Sequence, residues 1–255
     1  MFLVPFAFVV LTSLMTQQQS LTSHLWPHPF SWHNYIEVFH EEPILRYASN
    51  TVVYAVLSTV GVVLSSVPVA YALSRMRWRG RQAIFLLVIS TMMLPTQVTI
   101  VPLYIIFVRL GWIGTLRPLI VPSFFGDAFS IFLLRQFFLT IPEELVDAAR
   151  VDGASHPQIL WNVIVKLAKP AIAAVALFQF LYCWNDFFGP LLFAGSNSKI
   201  WTLSVGLQQF TSIHRGVLWN LQMAASVLFM LPVILVFLFA QRAFIEGITL
   251  TGVKG

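Results

Sequence analysis

Two clusters of polar and aromatic residues interrupt apolar stretches of the sequence, where their side chains could bind a solute. The first cluster surrounds Asp127, with Phe124 and Ser130 three residues to either side. A carboxylate inside an apolar segment is costly and normally faces a cavity or a partner group. Carboxylates and hydroxyls can hydrogen-bond the hydroxyl groups of a solute, while an aromatic ring covers its C–H face. The alternative is a structural pairing of Asp127 with Arg135, two turns along the same helix, or with a neighbouring subunit.

The second cluster lies in the string FQFLYCWNDFFGPLLF. Gln179 and Tyr182 are three residues apart, so they share a helix face, and Asn185 continues that face. These groups could line a pathway or form its outer gate. The alternative is an aromatic belt at the membrane interface, where Trp and Tyr are enriched. Trp184 fits such a belt, whereas Asn185 and Asp186 do not.

The chain carries no sequence signature of catalysis. It lacks the GxxxxGK(S/T) phosphate loop, HExxH, GxSxG, and a GxGxxG after a strand. The histidines between residues 17 and 46 have no regular zinc-ligand spacing, and the single cysteine, Cys183, offers no partner thiol within the chain. We predict no catalytic residue, no metal and no cofactor bound by this chain, so that any ATP used must be held by another chain.

The composition indicates a membrane protein. The 255 residues are 58% hydrophobic and 10% charged, with a mean hydropathy of +0.80, whereas soluble domains carry about 25% charged residues. About six apolar segments of about 20 residues account for the length, which predicts one all-α, polytopic membrane domain over residues 1–255. The net charge of +5 does not indicate nucleic-acid binding, because the arginines flank apolar segments, as orientation signals do.

Six segments are predicted to cross the membrane. Residues 1–15 span only about 22 Å of a core of about 30 Å, so we expect the outer part of a first span that begins earlier, with a cleaved signal peptide as the alternative. The other spans are predicted at 50–74, 84–108, 119–139, 171–193 and 221–241. Pro68 in the second span and Pro95 and Pro102 in the third are expected to bend them. Residues 17–46 are expected to form an irregular outer loop, and residues 195–220 another outer loop.

The basic residues predict the orientation of these spans. Four arginines directly follow the second span, at Arg75, Arg77, Arg79 and Arg81, which places that end in the cytoplasm. With the spans above, ten of the fifteen lysines and arginines fall on the cytoplasmic side. The same side then holds residues 141–170 and the carboxy terminus.

Residues 141–170, IPEELVDAARVDGASHPQILWNVIVKLAKP, form the longest stretch between two spans that is not continuously apolar. Pro142 suits the first turn of a helix, and acidic residues follow near the positive end of the helix dipole. Gly153 can end this helix in a left-handed conformation. Ser155 and Gln158 then form a capping box for a second helix. The pattern predicts two short helices joined by a glycine bend, on the cytoplasmic side.

Asp147-Ala148-Ala149, three residues and then Gly153 resemble the EAA–x3–G loop of permease subunits in binding-protein-dependent ABC importers. The strings EELVDAARVDGAS and WNDFFGPLLF and the tail GITLTGVKG are similar to the maltose-type second permease of sugar importers, and the resemblance runs from the second span to the last residue. Asp147 stands in place of the usual Glu and keeps its charge. Lys166 stands where the family usually has proline, which predicts a straighter second helix.

The resemblance implies the membrane-spanning subunit of an ATP-driven importer in a bacterial inner membrane, not an enzyme. The implied partners are a second homologous permease, two ATP-binding subunits that hold ATP and Mg, and an extracellular solute-binding (lipo)protein that hands over a carbohydrate or sugar-like solute. The loop would be a coupling helix seated in a cleft of an ATP-binding subunit, and the glycine-rich tail would reach toward the pair of them or fray. The residues expected to couple to the ATP-binding subunit are Glu143, Glu144, Asp147, Ala148, Ala149, Asp152 and Gly153. The residues expected to line the solute path are Phe124, Asp127, Ser130, Gln179, Tyr182 and Asn185.

Two alternatives concern the energy source and the solute. An ion-coupled secondary transporter would use Asp127 as its coupling carboxylate, but the chain has no inverted repeat of the kind such carriers contain. A phosphorylated solute would require cationic groups along the path, and Arg135 is the one candidate, so a neutral sugar is favoured.

Overall fold

The computed structural model describes residues 3–22, 25–211 and 216–251, with side chains through Leu238, and every regular element in these ranges is helical. The α-helices are α1 Leu3–Ser13, α2 Gln17–Ser20, α3 Asn34–Glu41, α4 Ile44–Arg75, α5 Arg81–Thr91, α6 Thr96–Arg109, α7 Arg117–Ile120, α8 Ala128–Thr140, α9 Glu143–Val151, α10 His156–Ile159, α11 Val165–Leu167, α12 Lys169–Asn185, α13 Phe188–Ala194, α14 Leu203–Leu207 and α15 Trp219–Thr251. A π-helical turn occupies Leu160–Ile164, and 3₁₀ turns occupy Val121–Phe125, Ser198–Ile200 and Gln208–Thr211. Residues 252–255 of the glycine-rich tail lie outside the described ranges.

Three helical stretches are long and apolar enough to cross a membrane: Ile44–Arg75, Arg117–Thr140 and Trp219–Leu238. Two further candidates are bent pairs, in which α5 meets α6 at 93° and the stretch His156–Leu167 meets α12 at 80°. Together with the shorter apolar helix α1, these helices overlap the six predicted spans, although His156–Leu167 belongs to the stretch 141–170 that was predicted between two spans. The chain is therefore an all-α, multi-pass membrane protein.

Prolines account for both bends. Pro95 is the extended residue before α6, with φ −61° and ψ 137°, and the third span breaks there, as predicted, while Pro102 and Pro68 lie inside α6 and α4. Pro170 cannot donate a hydrogen bond to the carbonyl four residues earlier, and the second bend lies just before it, at Ala168. The straighter second helix predicted from Lys166 was wrong, because the helix contains a π turn and ends in this bend.

The fourth and fifth spans are less continuous than predicted. Within 119–139, a 3₁₀ turn ends at Phe125, Gly126 has φ +93°, and α8 begins only at Ala128. Within 171–193, α12 ends at Asn185 and α13 begins at Phe188. Asp186 separates these two helices, and its carboxylate accepts a hydrogen bond from the Gly189 N–H at 3.1 Å.

The described chain divides into two compact units. The first comprises Met1–Val53, Gly114–Leu116 and Trp184–Val236. In it, the Asn34 carboxamide donates to the carbonyls of Ser13 and Met15 and accepts from Asn220 at 3.1 Å. The Leu203 N–H donates to the Thr51 hydroxyl at 2.8 Å. The irregular loop predicted at 17–46 was therefore wrong for its described residues, because α2, α3 and the hydrogen bonds of Asn34 order them. The described part of 195–220, predicted as an outer loop, contains α14 and two 3₁₀ turns.

The second unit comprises Tyr54–Ile113, Arg117–Cys183 and Phe237–Gly255. Its core joins the membrane helices to the stretch between the fourth and fifth spans. Residues that are at most 3% exposed come from α4, α8, α9, the α10 region and α12: Val62, Val67, Tyr71, Leu134, Phe138, Val146, Ile159, Ile164 and Val175. The predicted coupling stretch is thus part of the packed core of this unit and does not form a detached loop.

Candidate functional site

The stretch 141–170 folds as its local sequence predicts. Helix α9 begins at Glu143, with Pro142 at the cap position just outside it, one residue earlier than the predicted first turn. Gly153 has φ +82°, its N–H bonds the Arg150 carbonyl, and the Ala154 N–H bonds the Ala149 carbonyl. This pair of bonds is a Schellman motif, which requires a left-handed residue at the glycine position.

The second helix of the stretch is capped as predicted. The Gln158 side-chain oxygen accepts hydrogen bonds from the Ser155 N–H and from the Ser155 hydroxyl, both at 2.8 Å. The next residue in the turn, His156, contacts α4, because its Nδ1 lies 3.0 Å from the Tyr71 hydroxyl. The capping box therefore fixes the start of the second helix at the point where this helix contacts α4.

Helix α9 has two faces of different character. Val146 is 1% exposed and packs in the core of the second unit. On the other side Leu145 is 45% exposed and Val151 88% exposed, with exposed Ala148 between them. Acidic residues border this apolar ridge and are also exposed: Glu143, Glu144, Asp147 and Asp152. A small residue at the centre of an exposed apolar ridge lets another protein surface approach the helix backbone closely.

Arginines connect α9 to the ends of the membrane helices. Arg75, the last residue of α4, donates from its guanidinium to the carbonyls of Phe138 and Ile141 at the end of α8. Arg150 of α9 donates to the Arg75 carbonyl at 3.5 Å and pairs with Asp147 at 2.7 Å. In the sequence, Arg75 indicates only the orientation of the span. The two carbonyls that it binds lie more than 60 residues further along the chain, and nothing in the sequence near Arg75 indicates these bonds.

A second ion pair reaches the first turn of α9. Arg77 pairs with Glu143 at 3.1 Å, with 85% and 55% of their side chains exposed. Two of the acidic residues predicted to contact the ATP-binding subunit, Glu143 and Asp147, thus pair within the chain. Exposed pairs of this kind contribute about 0–1 kcal/mol, so both remain available to a partner surface.

Asp127 occupies the break in the fourth span. Its side chain accepts hydrogen bonds from the Ser130 N–H at 2.8 Å and from the Ser130 hydroxyl at 2.6 Å, which makes it the N-cap of α8. The Asp127 N–H donates to the Ser66 hydroxyl at 3.4 Å. These bonds, together with the positive end of the helix dipole, offset the cost of a carboxylate in an apolar segment.

Arg135 does not serve as the partner of Asp127. Its Nε donates to the Leu73 carbonyl at 3.0 Å, and its guanidinium lies 3.8 Å from the centroid of the Phe85 ring. The carboxylate of Asp127 is bonded to Ser130 instead. The alternative in which Asp127 pairs with Arg135 is therefore wrong.

The other predicted path residues differ in exposure. Phe124 is 44% exposed, and its ring lies so close to Gly61 that a methyl group there would approach Phe124 to 2.8 Å. Ser130 is 3% exposed and binds Asp127. Gln179 is half-buried and donates to the Cys183 sulfur at 3.2 Å, while Tyr182 is 64% exposed.

The structure brings the two polar clusters of the second unit toward each other. Phe129 of α8 and Phe178 of α12 lie with ring centroids 6.1 Å apart. These rings are two residues from Asp127 and one from Gln179, so the two helices approach each other at the level of both polar side chains. Asn185, at the end of α12, is exposed and belongs to the first unit. Whether these residues line a path for solute stays a prediction.

Comparisons with known proteins agree on one family. Residues 61–249 match the family described as binding-protein-dependent transport system inner membrane component. The arabinooligosaccharides transport system permease protein AraQ of Halalkalibacterium halodurans is 34% identical over 90% of this chain and 81% of its own length. The sn-glycerol-3-phosphate transport system permease protein UgpE of Yersinia enterocolitica is 32% identical over 95% of this chain and 88% of its own.

A solved structure shows the same similarity in three dimensions. It is the crystal structure of a bacterial ABC transporter involved in the import of the acidic polysaccharide alginate. The TM-score is 0.84 and the sequence identity 27%, over 95% of this chain and 91% of the other.

Proposed function

Because the chain belongs to the family of inner membrane components of binding-protein-dependent transport systems, we propose that it imports a neutral carbohydrate across the bacterial cell membrane. It is a permease subunit of an ABC importer and not an enzyme. In the proposed assembly it pairs with a second, homologous permease and receives solute from an extracellular binding protein. Two ATP-binding subunits hold ATP and Mg and supply the energy.

Helix α9 is the proposed docking element for one ATP-binding subunit. The observation that carries this proposal is the two-faced helix: Val146 is in the core of the second unit, while Leu145, Ala148 and Val151 form an exposed ridge. This arrangement suits a helix that is held by its own subunit and contacts another. The loop and the carboxy terminus then lie in the cytoplasm, as the basic residues predict.

Movement of α9 is proposed to open and close the solute path. Closure of the ATP-binding subunits on ATP would displace α9, and close packing does not let its buried side move independently of α4 and α8. The hydrogen bonds of Arg75 hold the ends of α4 and α8 together, so both helices follow. Asp127 and Gln179, further along α8 and α12, would then be exposed to alternate sides of the membrane.

A neutral solute fits the charges near the proposed path. Asp127 is a carboxylate whose bonds to Ser130 leave other lone pairs for solute hydroxyls. The guanidinium of Arg135, the one cation predicted for the path, contacts Leu73 and Phe85 instead. Phe124, Tyr182 and Asn185 complete the proposed lining, and Ser130 supports it through Asp127.

The assembled importer, reconstituted in proteoliposomes with its binding protein, tests this proposal. ATP on the α9 side should drive accumulation of labelled arabinooligosaccharide, and a non-hydrolysable ATP analogue should not. Preferred uptake of sn-glycerol 3-phosphate would refute the neutral solute. Uptake driven by a proton gradient, by permeases without ATP-binding subunits, would instead support the secondary transporter.

A further inference from the structure

The segment between α4 and α5 forms a cationic surface that the coupling role does not explain. It reads RMRWRGR and contains Arg75, Arg77, Arg79 and Arg81, which together with Trp78 we name the arginine strip. A cavity of about 740 Å³ lies beside it, and a second of about 370 Å³ is lined by Arg77, Trp78 and Arg81. The larger cavity is wide enough for a phosphate group with its substituents.

The charge of the larger cavity is predominantly positive. Its charged lining residues are Arg75, Arg77, Arg81, Arg150, Glu143 and Glu144. The lining thus holds four arginines and two glutamates, and Arg75, Arg81 and Arg150 also donate to backbone carbonyls. Guanidinium groups bind phosphate oxygens through paired hydrogen bonds, which an ammonium group cannot do with the same geometry.

The arginine strip begins at the last residue of a candidate membrane span, Ile44–Arg75, and ends at the first residue of the next apolar helix, α5. Arg81 is the first residue of α5, and Ile84 follows one turn later, about 4.5 Å along the helix axis. Ile84 is 45% exposed and Leu87 62% exposed, so α5 presents exposed apolar side chains, of the kind that contact lipid tails, within two turns of the strip. Trp78 is 40% exposed, and tryptophan is enriched at the membrane interface.

We propose that the arginine strip binds the phosphate of an anionic phospholipid and that this phosphate competes with Glu143 for Arg77. The exposed Arg77–Glu143 pair, at 3.1 Å, is the contact between the strip and the first turn of α9. A phosphate that recruits Arg77 frees Glu143 on the docking helix. The lipid composition of the membrane thereby acts on the same helix that receives the ATP-binding subunit.

A lipid accounts for the surroundings of the strip better than an acidic protein surface does. An acidic protein would use the guanidinium groups but not the exposed Trp78 or the apolar side of α5. A lipid uses all of them, because its headgroup and its tails meet at this depth. Basic clusters directly beside membrane helices bind anionic lipids with about 1 kcal/mol for each arginine, which corresponds to about a fivefold change in affinity.

Photo-crosslinking of the purified importer complex tests the proposal. The complex is placed in nanodiscs of phosphatidylcholine that contain a photoactivatable phosphatidylglycerol, and crosslinks to residues 76–87 are mapped by mass spectrometry. The Arg77→Gln/Arg79→Gln double variant should lose these crosslinks about 25-fold, by the fivefold effect at each arginine. Glu143→Gln should increase them, because it releases Arg77. Arg109→Gln, which removes an exposed arginine from the opposite end of the α5–α6 pair, should leave them unchanged.

Three results would overturn the proposal. Equal crosslinking of photoactivatable phosphatidylcholine would show that the headgroup charge does not matter. Unchanged lipid crosslinks in the double variant, together with a loss of inorganic phosphate binding, would identify a site for a free anion and not for a lipid. Dissociation of the ATP-binding subunits from the double variant, with unchanged lipid crosslinks, would assign the strip to an acidic protein surface. Recovery of the variants as intact, monodisperse complexes shows that a loss of crosslinks is not a loss of folding.

Discussion

Gly153 offers a direct test of the geometry of the coupling stretch. Its φ of +82° is in the left-handed region, and a Cβ built at this position meets no heavy atom within 4 Å. A Gly153→Ala substitution therefore causes no steric clash, and its effect comes from the backbone alone. A left-handed conformation costs a non-glycine residue about 1–2 kcal/mol.

This conformational cost should weaken the binding of the ATP-binding subunit to the permease. We expect the loop of the free alanine variant to relax out of the left-handed conformation that Gly153 adopts in this structure, whereas docking would require that conformation. Gly153→Ala should therefore raise the dissociation constant of the ATP-binding subunit about 5- to 30-fold. Gly153→Asn is the matched control, because asparagine tolerates this conformation better and should have a smaller effect.

The assay is a titration of purified ATP-binding subunits onto permease complexes held in nanodiscs, read by biolayer interferometry. Equal affinity of Gly153→Ala and the unmodified protein would refute the reasoning. So would equal losses for alanine and asparagine, since the backbone account requires the two to differ. A melting curve of each variant shows that the permease itself remains folded.

Three further predictions concern the buried face of α9, the break in the fourth span and the link between helices. Val146→Ala should lower the free energy of unfolding by about 2 kcal/mol, because two buried carbons and their packing are lost. Leu145→Ala should leave the melting temperature nearly unchanged and weaken docking of the ATP-binding subunit. Equal melting temperatures of the two variants would contradict the burial of Val146. Asp127→Asn keeps a side-chain acceptor for the cap and should reduce uptake with normal assembly, which would show that the charge itself is needed. Asp127→Ala should in addition cost about 1 kcal/mol of helix stability. Normal uptake by both variants would leave Asp127 purely structural. In Arg75→Lys, the ammonium group cannot bridge the two carbonyls as the forked guanidinium donors do. The number of solute molecules imported per ATP hydrolysed should therefore fall while the ATP-binding subunits stay bound. An unchanged ratio would show that Arg75 does not couple ATP hydrolysis to import.

Features set by neighbouring residues were predictable from the sequence. The glycine stop at Gly153 and the capping box of Ser155 and Gln158 depend on at most six consecutive residues, and both formed as expected. Spans could likewise be located, because about twenty apolar residues in a row have few alternatives to a membrane helix. Pro95 broke the third span for the same local reason.

Features set by distant residues were not predictable. Arg75 donates hydrogen bonds to carbonyls more than 60 residues away. Basic residues after a span indicate which side of the membrane that end faces, but not which groups they bind. The polar segment 17–46 has no helical periodicity, yet Asn34 orders it through bonds to Ser13, Met15 and Asn220. The break at Gly126 was missed because Asp127 was read as a carboxylate inside a continuous span, whereas it is the N-cap of a helix that begins after it.

A disulfide crosslink between α9 and the ATP-binding subunit tests the central claim most directly. Val151→Cys places a thiol on the exposed ridge, at a side chain that is 88% exposed, while the one native cysteine, Cys183, is buried. Paired with single cysteines along the cleft of the ATP-binding subunit, this variant should form a crosslink whose yield changes between the nucleotide-free and ATP-bound states. No crosslink at any cleft position, with the assembled importer intact and active, would contradict the proposal that α9 transmits the movement of the ATP-binding subunits.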